Sequence, residues 1–130
     1  LKKAITVLND GGCYFSAGVA EVAIEYYKHH VADRKSLVDQ VTDITNHLIR
    51  SNDINLWVEL LNEHENLISS ALKMDKIGQT ILKELPFFSK SLGAWGGDFA
   101  MVISTDTNAY TVIQEKTGLK NVFRYSELCY

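Results

Sequence analysis

The sequence is poor in cysteine and proline and has no long apolar run: its 130 residues include two cysteines and one proline. Cys13 and Cys129 are far apart and in no CxxC-type spacing, so the sequence supports neither a disulfide framework nor a zinc site. No apolar run approaches the roughly 18 residues of a membrane span, and the amino terminus lacks the apolar core of a signal peptide. These absences favour the reducing cytoplasm and argue against a membrane partner.

An excess of positive charge is also lacking. Thirteen Lys and Arg residues face sixteen Asp and Glu residues, a formal net charge of -3, and there is no cationic run. This balance argues against nucleic acid as a partner. The length and the 46% hydrophobic content predict one domain over residues 1–130 with a proper core. The chain opens on Leu1 without an initiator methionine, and we expect a domain cut from a longer protein.

Familiar catalytic motifs are absent as well. The glycine-rich segment GAWGG is followed by no GK[ST], and it lacks the G-x-G-x-x-G spacing of a dinucleotide fingerprint. The sequence contains no G-x-S-x-G and no H-E-x-x-H, and no Cys/His pairing can be inferred from spacing. The residues alone therefore indicate no catalytic set and no metal site in this chain.

The apolar pattern predicts the order strand, several helices, strand, strand, helix, strand. This order indicates an α+β fold: a ferredoxin-like split β-α-β plan with an antiparallel four-stranded sheet and extra helices in its first crossover. The predicted elements are a strand from Ala4 to Leu8, helices from Phe15 to His30, from a Ser36/Asp39 capping box to Arg50, and from an Asn52 or Asp53 cap past Ile68, a shorter helical piece from Ile77 to Glu84, strands from Phe87 to Leu92 and from Phe99 to Ser104, a helix from Asn108 to Thr117 stopped by Gly118, and a strand from Asn121 to Tyr125.

A glycine-rich turn joins the two central strands in SKSLGAWGGDFAMVIS, from Ser89 to Ser104. Its three glycines allow positive φ and close approach of the backbone to a neighbour. The turn is interpreted either as a plain β-hairpin connection or as a loop that lines an anion or substrate site. Lys90 and Asp98 flank it, either as solvated hairpin residues or as charges of that site.

The long central helix carries a polar cluster between apolar turns, in LLNEHENLI. Asn62, Glu65 and Ser69 have the spacing of one helical strip, while His64 falls on the apolar face with Trp57. A polar strip is most simply a solvated face, and a histidine among apolar residues is most simply a satisfied core residue. The alternative is that these side chains face a ligand.

The two segments together, LLNEHENLI followed by KSLGAWGGDFAMVIS, resemble the C-terminal domain of the GHMP kinases. This superfamily includes galactokinase, homoserine kinase, mevalonate kinase and phosphomevalonate kinase. Its members carry a helix like L-[LM]-N-x-[NH]-x-x-L-[LI], then, about thirty residues on, K-[LSP]-[TS]-G-[AG]-G-G-G-G and an apolar strand. The resemblance covers roughly Asp53 to Ser104 plus the helix and strand that follow, and mevalonate-kinase-type members look closest.

The resemblance implies transfer of a phosphoryl group from ATP, with Mg²⁺, to a small metabolite in a cleft between this domain and an N-terminal kinase domain. The phosphate-loop motif P-x-x-x-G-L-G-S-S of that other domain does not occur in this sequence, so the resemblance implies no catalytic residue here and an inactive isolated chain. It leaves a homodimer open. The implied site residues are Lys90, Gly93, Ala94, Trp95, Gly96, Gly97 and Asp98 in the substrate and phosphate loop, and Asn62, His64 and Glu65 on the substrate-side helix.

Trp95 departs from the family pattern, because it stands where these kinases usually have glycine. Its indole either stacks on a substrate or fills the site, and the acceptor metabolite is not specified by the sequence. The alternative hypothesis is a non-catalytic ferredoxin-like domain for ligand binding or oligomerisation.

Overall fold

The computed structural model describes residues 5–9, 24–92 and 99–128, and it confirms a mixed α+β chain. Residues 24–30 are helical, which is the described part of the first predicted helix. The strands are β1 (Ile5–Asn9), β2 (Phe88–Ser91), β3 (Phe99–Ile103) and β4 (Asn121–Arg124), and the helices are α1 (Arg34–Arg50), α2 (Ile54–Leu72), α3 (Ala109–Thr117) and α4 (Tyr125–Leu128), with a 3₁₀ turn at Ile77–Gln79.

The described strands form one sheet in the order β2-β3-β1-β4, in which every neighbouring pair is antiparallel. β2 and β3, which residues 93–98 separate in the sequence, pair with each other. The backbone N–H of Leu92 donates to the carbonyl of Phe99 at 3.0 Å. These flanking strands therefore pair as a hairpin. The glycine turn itself lies outside the described residues.

Helical elements cover both faces of this sheet. Alternate residues of β3 point to opposite faces, and so they contact different helices. Val102 packs with Ile113 of α3 on one face, and Ile103 packs with Leu61 of α2 on the other. Ile77, Leu82 and Leu85, which precede β2, join the α3 face. The crossover between β1 and β2 thus contributes to both faces.

The ends of the helices follow local capping chemistry. The Asp33 side chain accepts a hydrogen bond from the Ser36 backbone N–H, so the capping box predicted at Ser36 and Asp39 is wrong and the helix begins three residues earlier. Asp53 caps α2, as predicted. Gly118, with a φ of 66°, ends α3 in the left-handed conformation, as predicted for a C-terminal glycine.

Two predicted elements differ from the observed ones. The helical piece predicted from Ile77 to Glu84 is a single 3₁₀ turn followed by turns, because the core takes up Ile77, Leu82 and Leu85 and leaves Ile81 58% exposed. A regular helix would have placed Ile77 and Ile81 on the same side. The last strand ends at Arg124, because Tyr125 begins the short α4.

Within the described ranges, no helix is both long enough and apolar enough to cross a membrane.

Candidate functional site

A buried ion pair joins α2 to β2, the strand that precedes the glycine-rich segment in the sequence. The ammonium of Lys90 lies 3.0 Å from Oε1 of Glu65, and the two side chains are 11% and 1% exposed. Lys90 is opposite Met101 in the β2–β3 register, so it points to the sheet face that α2 covers. Its Nζ also donates to the backbone carbonyl of Ser91 at 3.1 Å. The pair therefore ties the central helix to β2.

This pair corrects two interpretations of the sequence. Lys90 is not a solvated hairpin residue, and the strip of Asn62, Glu65 and Ser69 is not a solvated face as a whole. Only Asn62 is exposed, whereas the Ser69 hydroxyl donates to the carbonyl of Met74 at 2.6 Å. The strip contacts the sheet at its β2 edge, and there Glu65 pairs with Lys90 of that strand.

The electrostatics of Glu65 reflect its burial. Loss of hydration raises the pKa of its carboxyl group, while the Lys90 ammonium opposes that rise, with smaller contributions from the nearby Ser91 backbone N–H and from Lys76. Oε2 of this carboxyl group is buried and accepts no hydrogen bond within the described part of the chain. A buried acceptor without a hydrogen bond destabilises the folded chain, so a hydrogen-bond donor placed next to Oε2 would be bound favourably.

His64 lies beside this pair and is half-buried, with a buried Nδ1 that has no hydrogen-bond partner among the described residues. Burial, and then the positive charge of Lys90, lower the pKa of His64 to about 4. The imidazole is therefore neutral near pH 7, where it offers one donor and one acceptor but no charge.

The lowered pKa of His64 predicts a loss of stability in acid. The unfolded chain takes up a proton near the ordinary value of 6.5, while the folded chain does so only near 4, so the free energy of unfolding falls as the pH falls between these values. Urea unfolding at about pH 7 and about pH 5 measures this fall. His64→Gln should show a smaller fall than the unaltered chain, and the exposed His47→Gln should not differ from it. An equal fall in His64→Gln would refute the assignment.

A pocket of about 190 Å³ opens beside the pair, between α2 and the 3₁₀ turn at the β2 edge of the sheet. The Lys76 ammonium in its wall donates to the Asn66 side-chain carbonyl at 2.8 Å. The pocket is lined by Asn62, Glu65, Lys76, Gly78, Gln79, Phe87, Phe88 and Ser89.

The structure brings some of the sequence-predicted site residues together. Glu65 contacts Lys90, and His64 lies within the electrostatic reach of that lysine. Asn62 and Glu65 line the pocket, whereas Lys90 and His64 do not. The remaining loop positions, Gly93, Ala94, Trp95, Gly96, Gly97 and Asp98, lie outside the described residues. No local pattern assigns Lys76, Gly78, Gln79 or Ser89 to a site, because the irregular 3₁₀ turn brings the first three to β2.

Comparisons with protein-family models, with curated proteins and with solved structures found no match. In the described ranges, no group of three or more His, Cys, Asp and Glu side chains is arranged to hold a metal ion. The candidate site is therefore defined by its own chemistry: a buried ion pair, a neutral histidine and a pocket lined by both polar and aromatic side chains.

Proposed function

We propose that this chain is the substrate-side domain of an ATP-dependent small-molecule kinase of the GHMP type. The observation that carries the proposal is the contact between Glu65 of LLNEHENLI and Lys90 of KSLGAWGG, 25 residues apart and 3.0 Å from each other. The two parts of the sequence pattern are thus neighbours in space. A buried ion pair between them supports the idea that they work as one unit.

The topology supports the ferredoxin-like part of the proposal. The sheet order β4-β1-β3-β2, with antiparallel neighbours throughout, agrees with a split β-α-β plan. The additional helices between β1 and β2 agree with an elaborated first crossover. The chain departs from the plain plan in one respect: α2 and α3 cover opposite sheet faces, whereas two right-handed crossovers would place both helices on one face.

The chemistry of phosphoryl transfer explains what the described residues would contribute. Transfer depends mainly on positioning and on stabilising charge, so a domain without a catalytic acid or base still matters if it holds the acceptor and the loop. The Glu65–Lys90 pair would hold the base of the loop against α2, and Asn62 and the neutral His64 would offer hydrogen bonds without adding charge. ATP and Mg²⁺ would supply the phosphoryl group and its counter-charge, bound mainly by the N-terminal domain.

Ligand-induced thermal shifts test this proposal on the protein that the native reading frame around this chain encodes. Mevalonate, its phosphate, homoserine and sugars are added singly, and we expect one of them to raise Tm. At a ligand concentration of one hundred times Kd the gain in the free energy of unfolding is about 2.7 kcal/mol.

Two α2 variants provide the controls for the thermal shifts. Asn62→Ala should reduce the shift, whereas Asn55→Ala, which is exposed on the same helix, should leave it unchanged. The absence of a shift with every metabolite, or a reading frame without a glycine-serine phosphate loop ahead of this chain, would argue against the kinase.

A further inference from the structure

The pocket at the β2 edge depends on a close approach between the 3₁₀ turn and the strand. A Cβ on Gly78 would lie 2.8 Å from Oγ of Ser89, so any other residue at this position would force the Ser89 hydroxyl or the turn to shift. The turn brings Lys76 and Gln79 opposite Asn62 and Glu65 of α2. The pocket is thus formed by the packing of three separate segments.

The first requirement on a ligand comes from Glu65. Its side chain is 1% exposed and lines the pocket, and its Oε2 has no hydrogen-bond partner in the described part of the chain. Burying a carboxylate oxygen without a donor is unfavourable, and Lys90 satisfies only Oε1. A ligand that brings an O–H or N–H group to this carboxylate would relieve that cost.

The second requirement comes from the charges around the pocket. Glu65 and Lys76 are the charged residues among those that line the pocket, and the Glu65 carboxylate is already paired with Lys90, which does not line it, so the positive charge of Lys76 is left in excess. Lys76 uses one of its three donors on Asn66 and can offer the others to an anion. One excess charge matches a monoanion such as a carboxylate better than a phosphate dianion, and it disfavours a further ammonium group.

We propose that this pocket binds a small hydroxy acid. The carboxylate of the ligand accepts from Lys76, its hydroxyl donates to the Glu65 carboxylate, and its short carbon chain packs on Phe87 and Phe88. A volume of about 190 Å³ suits a compound of about six to ten non-hydrogen atoms. This inference stands on the pocket residues alone and does not depend on phosphoryl transfer.

The test is an NMR titration of the chain with four matched probes, followed at the backbone amides of Gln79 and Ser89. 3-Hydroxybutyrate carries both groups, butyrate lacks the hydroxyl, 1,3-butanediol lacks the carboxylate, and 3-aminobutyrate replaces the hydroxyl by an ammonium group. We expect saturable shifts with 3-hydroxybutyrate and binding weaker by about tenfold with each of the others, since one hydrogen bond to a charged group is lost or a repulsion is added.

Variants separate binding in the pocket from binding elsewhere. Lys76→Met should weaken 3-hydroxybutyrate binding by about tenfold, and the exposed Lys83→Met should bind as the unaltered chain does. If Lys76→Met does not fold, Lys76→Gln, which removes the charge but keeps a polar side chain, should still weaken binding by severalfold. The proposal is overturned if no saturable shift is seen, if Lys83→Met weakens binding as much as Lys76→Met, or if 3-aminobutyrate binds as tightly as the hydroxy acid.

Discussion

Replacing Lys90 by methionine is expected to lower the free energy of unfolding by about 3–5 kcal/mol, because it leaves the Glu65 carboxylate buried without its partner. The hydrophobic length of the side chain is kept, so the loss reports on the charge and not on packing. Urea unfolding near pH 7 measures the change. The exposed Lys83→Met provides the matched control, with a change within about 0.5 kcal/mol.

The double variant Glu65→Met with Lys90→Met distinguishes a lost ion pair from a lost fold. Replacing both members of a buried pair by apolar residues of similar size is often neutral or stabilising, so we expect the double variant to recover most of the stability. The deficit of Lys90→Met should also shrink at lower pH. Burial raises the pKa of Glu65, and the protonated carboxyl group tolerates the loss of Lys90 better. A deficit below about 1 kcal/mol in Lys90→Met would show that the pair is not formed.

The expected cost of breaking the pair shows why its position matters more than its net contribution. A buried ion pair gains little over two apolar residues, since the loss of hydration offsets most of the attraction. It does, however, penalise arrangements in which either group is buried alone. In this chain, the penalty would favour the one register of α2 against β2 that brings Glu65 to Lys90, and with it a defined placement of Asn62 and His64.

Local sequence rules account for much of the fold. The sequence predicts that a helix starts after Asp53 and that another ends at Gly118, and the structure has both ends there. These ends could be predicted because a cap depends only on neighbouring residues. The tertiary partners of polar residues follow no such rule. Glu65 and Lys90 each stand among polar neighbours in the sequence, and only the β2–β3 register, together with the packing of α2, directs them toward each other.

No pattern in the sequence predicts the pocket, for a related reason. The apolar pattern from Ile77 to Glu84 predicts a helix. In the structure Ile77, Leu82 and Leu85 are the residues that pack into the core, and the chain between them forms turns. Only this irregular path brings Gly78 against Ser89. The pocket therefore brings together Lys76, Asn62 and Gln79, and no local sequence pattern predicts that they are neighbours.

Phosphoryl transfer is the measurement that tests the central proposal most directly. The isolated chain and the protein encoded by its native reading frame are each incubated with Mg²⁺, ATP labelled in the γ-phosphate and the metabolite panel. We expect no transfer by residues 1–130 alone, because the residues that bind ATP are proposed to lie in the other domain. We expect the longer protein to phosphorylate one metabolite. Transfer by the isolated chain, or no transfer to any metabolite by the longer protein, would contradict the proposal.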